Sequence, residues 1–293
     1  MRMASWQWGG RDHVGTISPD GREATPLALA DASRGVLPLI QMLMRGEPLP
    51  SPSGARLPVE VLSLRAPLPR PLRSLFCIGR NYHAHAAELA TTVFSTTMPK
   101  DDPWPIVFGK LGECVVGPFD AVRLPAPATS VQIDYESELA VVIGRGGRDI
   151  PRSRAMDHVF GYTIVNDVTA RDVQMRHQQW DLGKSFDTFC PMGPWIVTAD
   201  ELDGRATRVR GWVTPKGGSA VLRQDGLTKD MIHDLPTLIE TCSRGITLYP
   251  GDVIATGTPA GVGMGLKPPQ WLKAGDAVRI EIDGIGVIEN RFQ

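Results

Sequence analysis

Three carboxylates, Asp134, Glu136 and Glu138, stand at alternate positions of the stretch from Val131 to Gly144. Side chains of a strand alternate between its faces, so a continuous strand here sets all three on one side, with Tyr135, Ser137 and Leu139 on the other. Leu139 to Ile143 is uniformly apolar, which predicts burial on both faces. Carboxylates crowded beside a buried run repel one another unless a cation sits among them or a proton is taken up. Two readings follow: an acidic, solvated face, or half of a site for a hard divalent cation such as Mg²⁺, Mn²⁺ or Ca²⁺, which prefer oxygen ligands. A second pair is His85 and Glu88, three residues apart in an alanine-rich segment that favours helix. A carboxylate beside an imidazole orients its ring; the plain alternative is a surface histidine near a glutamate.

The elements that must position these groups can be read in outline. Leu75 to Gly79 is a short buried strand leading into the His85 helix, and Ile106 to Lys110 is another. Gly161 to Val168 forms a strand that ends in Asn166-Asp167, a polar pair at the end of a buried run. Thr169 to Trp180 is mostly polar, and Gly183 to Trp195 is dense in Gly, Pro and aromatics, as suits a fixed loop lining a pocket. Residues 230–244 are amphipathic, with Met231, Leu235, Leu238, Ile239 and Cys242 as a core stripe. Thr256 to Gly263 is too glycine-rich for a strand interior and predicts backbone brought close to a ligand. The stretch 89–105 reads as exposed loop or substrate lid. Residues 1–70 read as a small N-terminal β module with one or two short helices between Leu27 and Met44, and residues 71–293 as the main domain.

The bulk numbers exclude several classes. A chain of 293 residues with net charge −1 has no electrostatic case for nucleic acid or an anionic membrane. Neither a signal-peptide core nor a membrane-length apolar run is present, so a cytoplasmic protein is expected. Cys77, Cys114, Cys190 and Cys242 lie far apart and fit reduced, buried thiols. The fold class read from the chain is mixed α+β and β-rich, with many turns from 31 Gly and 25 Pro.

Taken together, the motifs resemble those of the fumarylacetoacetate hydrolase superfamily, and in particular its bacterial acylpyruvate hydrolases and related 2-oxo acid C–C hydrolases. The likeness spans residues 72–293 and rests on motifs in a fixed order: Cys77-Ile78-Gly79-Arg80-Asn81-Tyr82 with His85 and Glu88; Asp134-Tyr135-Glu136-Ser137-Glu138; Gly161-Tyr162 with Asn166-Asp167; Arg171-Asp172 and Gln174; Gly183-Lys184-Ser185-Phe186-Asp187; and Pro250-Gly251-Asp252 with Thr256-Gly257-Thr258-Pro259. One stretch departs from the pattern: Pro215-Lys216-Gly217-Gly218 makes a longer turn before Gln224.

The resemblance implies a mixed β-sandwich roll behind a small N-terminal β module, and a homodimer. It implies Mg²⁺ or Mn²⁺ (Ca²⁺ being the other hard ion the set admits) held by Glu136, Glu138 and Asp167, with Asp134 beside them in support. It also implies a 2-oxo or 2,4-dioxo acid substrate from aromatic or sugar-acid catabolism. On this expectation His85, oriented by Glu88, activates water, Lys184 stabilises oxyanion charge, and Gln174 and Thr258 add hydrogen bonds. Arg171 binds a substrate carboxylate or supports Asp167, and specificity lies in the lid and around Arg80, Tyr82, Phe108 and Trp195. The main expectation is metal-dependent hydrolysis of a C–C bond. The alternatives are oxaloacetate-type decarboxylation, or isomerisation and tautomerisation of unsaturated 2-oxo diacids, on the same site. A non-catalytic metal-stabilised binding protein is a further class.

Overall fold

A computed structural model describes residues 1–89, 104–176 and 179–293. The loop expected over 89–105, and His177 and Gln178 of the polar stretch before Trp180, lie largely or wholly outside the described residues. Among the described residues the architecture is mixed α+β and dominated by a twelve-stranded sheet. Its main path runs Leu57–Pro58, Glu23–Pro26, Arg11–Ile17, Arg2–Trp8, Cys190–Thr198, Val159–Asn166, Ser137–Ile143, Val253–Ala255, Leu75–Gly79 and Ile106–Lys110. A four-stranded antiparallel sheet, Val221–Leu227, Arg208–Thr214, Ala277–Ile282 and Gly286–Arg291, packs against it.

Ser137–Ile143 is buried along its whole length, because both of its faces are covered. Leu139, Val141 and Ile143 join the core that also holds Val209, Val278 and Ile280 of the smaller sheet. Ala140 and Val142 join a second core with Leu37, Leu39 and Ile40 of the helix Leu37–Met44. The two-sided burial read from the apolar run is therefore what the layers enforce. The N-terminal strands extend the same sheet, since Arg2 and Met3 pair with Val197 and Ile196.

Two local expectations are corrected. The acidic stretch is two strands, Ile133–Asp134 and Ser137–Ile143, with a break at Tyr135-Glu136. The break has a cause in hydrogen bonding. Side chains replace the ladder: Asp134 Oδ1 accepts the Tyr135 N–H, and Asn166 Oδ1 accepts the Glu136 N–H at 3.1 Å. The amphipathic segment 230–244 becomes a helix only over Leu235–Ser243, where the Asp234 carboxylate caps the Thr237 N–H and Pro236 occupies the first turn. Met231 still packs into the core from the turn before it.

Candidate active site

The strand end carrying Glu136 and Glu138 meets the strand end carrying Asp167, because Ser137 pairs with Asn166 in antiparallel register. The Asp167 N–H closes the corner by donating to the Glu136 carbonyl at 3.0 Å. One oxygen from each of Glu136, Glu138 and Asp167 lies within 4.8 Å of the others, and all three residues are buried. The three ligands implied by the resemblance thus converge, although the continuous strand invoked for two of them is absent.

Three fixed cations surround the triad. Lys184, on the helical turn Asp181–Lys184, places Nζ 2.6 Å from Glu136 Oε2 and 2.7 Å from Asp167 Oδ2. Arg171, at the start of the helix Arg171–Arg176, donates to Glu136 Oε1 at 2.7 Å and to Asp134 Oδ2 at 2.9 Å. Lys110, fully buried, lies 2.8 Å from Asp167 Oδ1 and also donates to the carbonyls of Val168 and Lys184. Lys110 escaped the sequence reading, yet the alternation of Ile106–Lys110 held the signal: Phe108 and Lys110 share a face, and Phe108 lines the cavity.

These charges divide the triad. Burial alone would raise the Glu136 carboxyl, but the charges of Lys184 and Arg171 outweigh it and hold Glu136 well below the usual carboxylate range. Glu138 has no direct cationic partner among the described residues. Burial, then the charges of Asp167 and Glu136, push its carboxyl well above the usual range, against the more distant charge of Lys184 and a hydrogen bond from the Gly257 N–H at 2.8 Å. That bond requires close backbone approach: Gly257 sits at φ +96°, and a Cβ there would stand 2.7 Å from the Asn81 Cβ. Asp167 Oδ1 is buried and is met by the Lys110 ammonium at 2.8 Å. A buried oxygen-only set with one uncompensated carboxylate fits a hard divalent cation.

A cavity with room for about 20 Å³ of water-sized centres adjoins the triad. Glu136, Glu138, Lys184, Arg171, Gln174, His85, Arg80 and Thr258 line it, together with an apolar wall of Ile78, Gly79, Phe108 and Trp180. His85, on the helix His83–Leu89, is buried and holds its Nδ1 3.1 Å from Glu88 Oε2. Glu88 is held in turn by the Gly261 N–H at 3.1 Å. Arg80 occupies a left-handed backbone conformation, φ +53°, between the strand and this helix. Asn81 fixes that corner through bonds to Thr256 O and to both backbone groups of His233.

Several assigned roles change. Arg171 supports Glu136 and Asp134, not Asp167, and its guanidinium also donates to Gln174 Oε1 at 3.2 Å. An arginine has only donors, so this contact fixes the Gln174 carboxamide with its oxygen toward Arg171 and its NH₂ as the group left for the cavity. The Thr258 hydroxyl donates to Ser137 O at 3.0 Å and accepts from Gln224 Nε2 at 2.7 Å, so it offers a lone pair to the cavity and no proton. Tyr82 is buried in the core and absent from the cavity wall. Trp195 is remote: its indole N–H donates to Ile285 O, and its ring faces Arg2 and Gly21. The aromatics at the cavity are Phe108, as expected, and Trp180. Despite the longer turn before it, Gln224 reaches the site, accepting the Ser137 N–H and donating to Thr258 and Pro259.

Residues 74–293 match the family model described as fumarylacetoacetate (FAA) hydrolase C-terminal. The chain is 47% identical over 236 residues to oxaloacetate tautomerase YisK of Bacillus subtilis, covering 79% of this chain and 73% of that one. It is similar along its whole length to a solved fumarylacetoacetate hydrolase of Exiguobacterium antarcticum, covering 99% of that chain, with TM-score 0.82 and 38% identity. The maleylpyruvate hydrolase of Sphingobium sp. SYK-6, solved with manganese(II) and pyruvate, superposes with TM-score 0.75 at 31% identity, covering 100% of this chain and 98% of that one. With residues 74–293 matching the family model and relatives of this identity and fold, the chain belongs to the fumarylacetoacetate hydrolase family.

Proposed function

We propose that the chain interconverts the enol and keto forms of a four-carbon 2-oxo diacid of the oxaloacetate kind. The observation that carries this reading is the His85–Glu88 pair on the wall of the triad's own cavity. Glu88 already accepts from Gly261, and a carboxylate acts as acceptor, so the His85 Nδ1 carries the proton between them. That leaves Nε2 as an acceptor for a proton on the carbon next to the 2-oxo group. Proton transfer between that carbon and the enol oxygen is the whole of a tautomerisation and needs no water. Similarity to a protein named for oxaloacetate tautomerisation supports the choice and sets it ahead of the acylpyruvate cleavage favoured from the sequence.

A divalent ion, Mg²⁺ or Mn²⁺, held by Glu136, Glu138 and Asp167 supplies Lewis-acid charge stabilisation at the 2-oxo and carboxylate oxygens when bound. Lys184 and Arg171 hold Glu136 ionised for that task, and the Gln174 NH₂ donates toward the substrate. In enolisation His85 Nε2 takes the proton from the carbon and delivers it to the 2-oxygen, and in ketonisation it carries the proton back from oxygen to carbon, with Glu88 stabilising the imidazolium between.

The test follows enol-oxaloacetate by its ultraviolet absorbance with Mn²⁺ or Mg²⁺ present, alongside acetylpyruvate, with pyruvate and CO₂ release read separately. Ketonisation that is fast, metal-dependent and ahead of both release reactions is expected. Pyruvate release from acetylpyruvate at a higher kcat/KM than ketonisation would return the reading to C–C hydrolysis.

A further inference from the structure

We propose that Trp180 closes the apolar side of the cavity and sets an upper limit on the chain length of the 2-oxo acid; this rests on the site reading above. The polar walls cannot give way, because Glu136, Asp167, Lys184 and Arg171 are held in one buried ionic network. Substrate carbons beyond the chelating end must therefore run along the apolar wall. Of its members, Ile78 and Gly79 belong to a strand hydrogen-bonded on both sides. Phe108 is fixed on the other neighbouring strand, with the Lys184 ammonium 5.0 Å from its ring centroid. Trp180 alone among these comes from outside a strand, just before the turn that carries Lys184, and its carbonyl accepts the Lys184 N–H at 3.1 Å.

Its ring is wedged. A Cβ on Gly79 would stand 2.5 Å from Trp180 Cζ3, so the ring occupies space that only glycine leaves open. It meets Phe108 edge-on, with centroids 5.2 Å apart and planes at 66°, and packs with Met175 and Met264 against Val262. The ring thus fills the apolar side of the cavity, and a chain lengthened along that wall must displace it. In such a pocket each extra methylene costs on the order of tenfold in binding.

The test needs no turnover. Oxalate, pyruvate, 2-oxobutyrate and 2-oxohexanoate are titrated by calorimetry into the Mn²⁺-loaded protein, its Trp180→Ala and Trp180→Phe variants, and Gly79→Ala, which pushes the ring inward; circular dichroism verifies each fold. In the wild type, 2-oxohexanoate is expected to bind at least tenfold more weakly than 2-oxobutyrate. Trp180→Ala is expected to shrink that ratio at least tenfold, Trp180→Phe to shrink it less, and Gly79→Ala to widen it. A flat wild-type series overturns the proposal, as does an unchanged ratio in Gly79→Ala or in a folded Trp180→Ala. If wild type with Mn²⁺ binds none of the four, the site reading fails and the chain-length limit with it. If the series behaves as expected but oxaloacetate is not tautomerised, only the assigned reaction fails.

Discussion

Lys110→Met offers the sharpest test of how the triad is held. The Lys110 side chain is wholly buried, and its Nζ serves Asp167 Oδ1 at 2.8 Å, Val168 O at 3.0 Å and the carbonyl of Lys184. Burial opposes the charge on Lys110, but Asp167 more than restores it, so the ammonium is firmly ionised in the fold. Methionine keeps most of the volume and removes the charge and all three contacts. Removing one partner of a buried ion pair costs about 3–5 kcal/mol, chiefly through the charge left behind. Lys184 still neutralises Asp167 Oδ2, which favours the low end; two unserved carbonyls add back about 1 kcal/mol each. A loss of roughly 5 kcal/mol is expected, a large part of the ~5–15 kcal/mol that holds a typical domain. Urea unfolding in chelator measures it. The double variant Lys110→Met with Asp167→Asn removes the stranded charge as well, and should recover about 2 kcal/mol relative to Lys110→Met. A single-variant loss below about 1 kcal/mol, or a double variant as unstable as the two losses added, would refute the reasoning.

Three other outcomes are expected. His85→Asn should lower turnover about a hundred- to ten-thousand-fold while Mn²⁺ affinity stays within a few-fold; parallel loss of metal would remove His85 from the proton-moving role. For Glu138, burial and its acidic neighbours raise the folded carboxyl, so the folded chain keeps a proton that the unfolded chain has released. The metal-free fold should therefore lose stability as pH climbs above the ordinary carboxyl range. Glu138→Gln should remove that component of a Tm-against-pH series in chelator, and also the rise in Tm on adding Mn²⁺; identical series for the two proteins would contradict the assignment. Gln224→Leu should cost about 1–3 kcal/mol by thermal melting, since it strands the buried Ser137 N–H; an unchanged Tm would show that this bond holds nothing.

Spacing made much of the site legible. Glu136 and Glu138 two apart, Asp167 at a strand end and His85 three before Glu88 are patterns that one turn or one pleat converts directly into proximity. What stayed hidden depends on contacts between distant elements. Lys110 read as an ordinary strand end because its partner is 57 residues away and joins it only through the sheet order. The single acidic strand failed because Asn166 and Asp134 side chains outcompete the backbone ladder at Tyr135-Glu136, and no period reveals that. Trp195 and Trp180 are equally aromatic; only the layers decide that one ring stacks under Arg2 and the other closes the cavity.

The charge count around the triad ties these points together. With Glu138 ionised, as a metal ligand must be, Asp134, Glu136, Glu138 and Asp167 face Lys110, Lys184 and Arg171, so the buried cluster carries one negative charge in excess. A monovalent ion would merely neutralise it. A divalent ion turns it one positive charge over. A buried excess of positive charge is unfavourable by itself and becomes favourable only when an anion enters. On the proposed reading, the cluster is balanced to hold a dication first and a carboxylate-bearing substrate second. Lys110, deepest in the network and absent from the cavity wall, tunes that balance without touching the substrate.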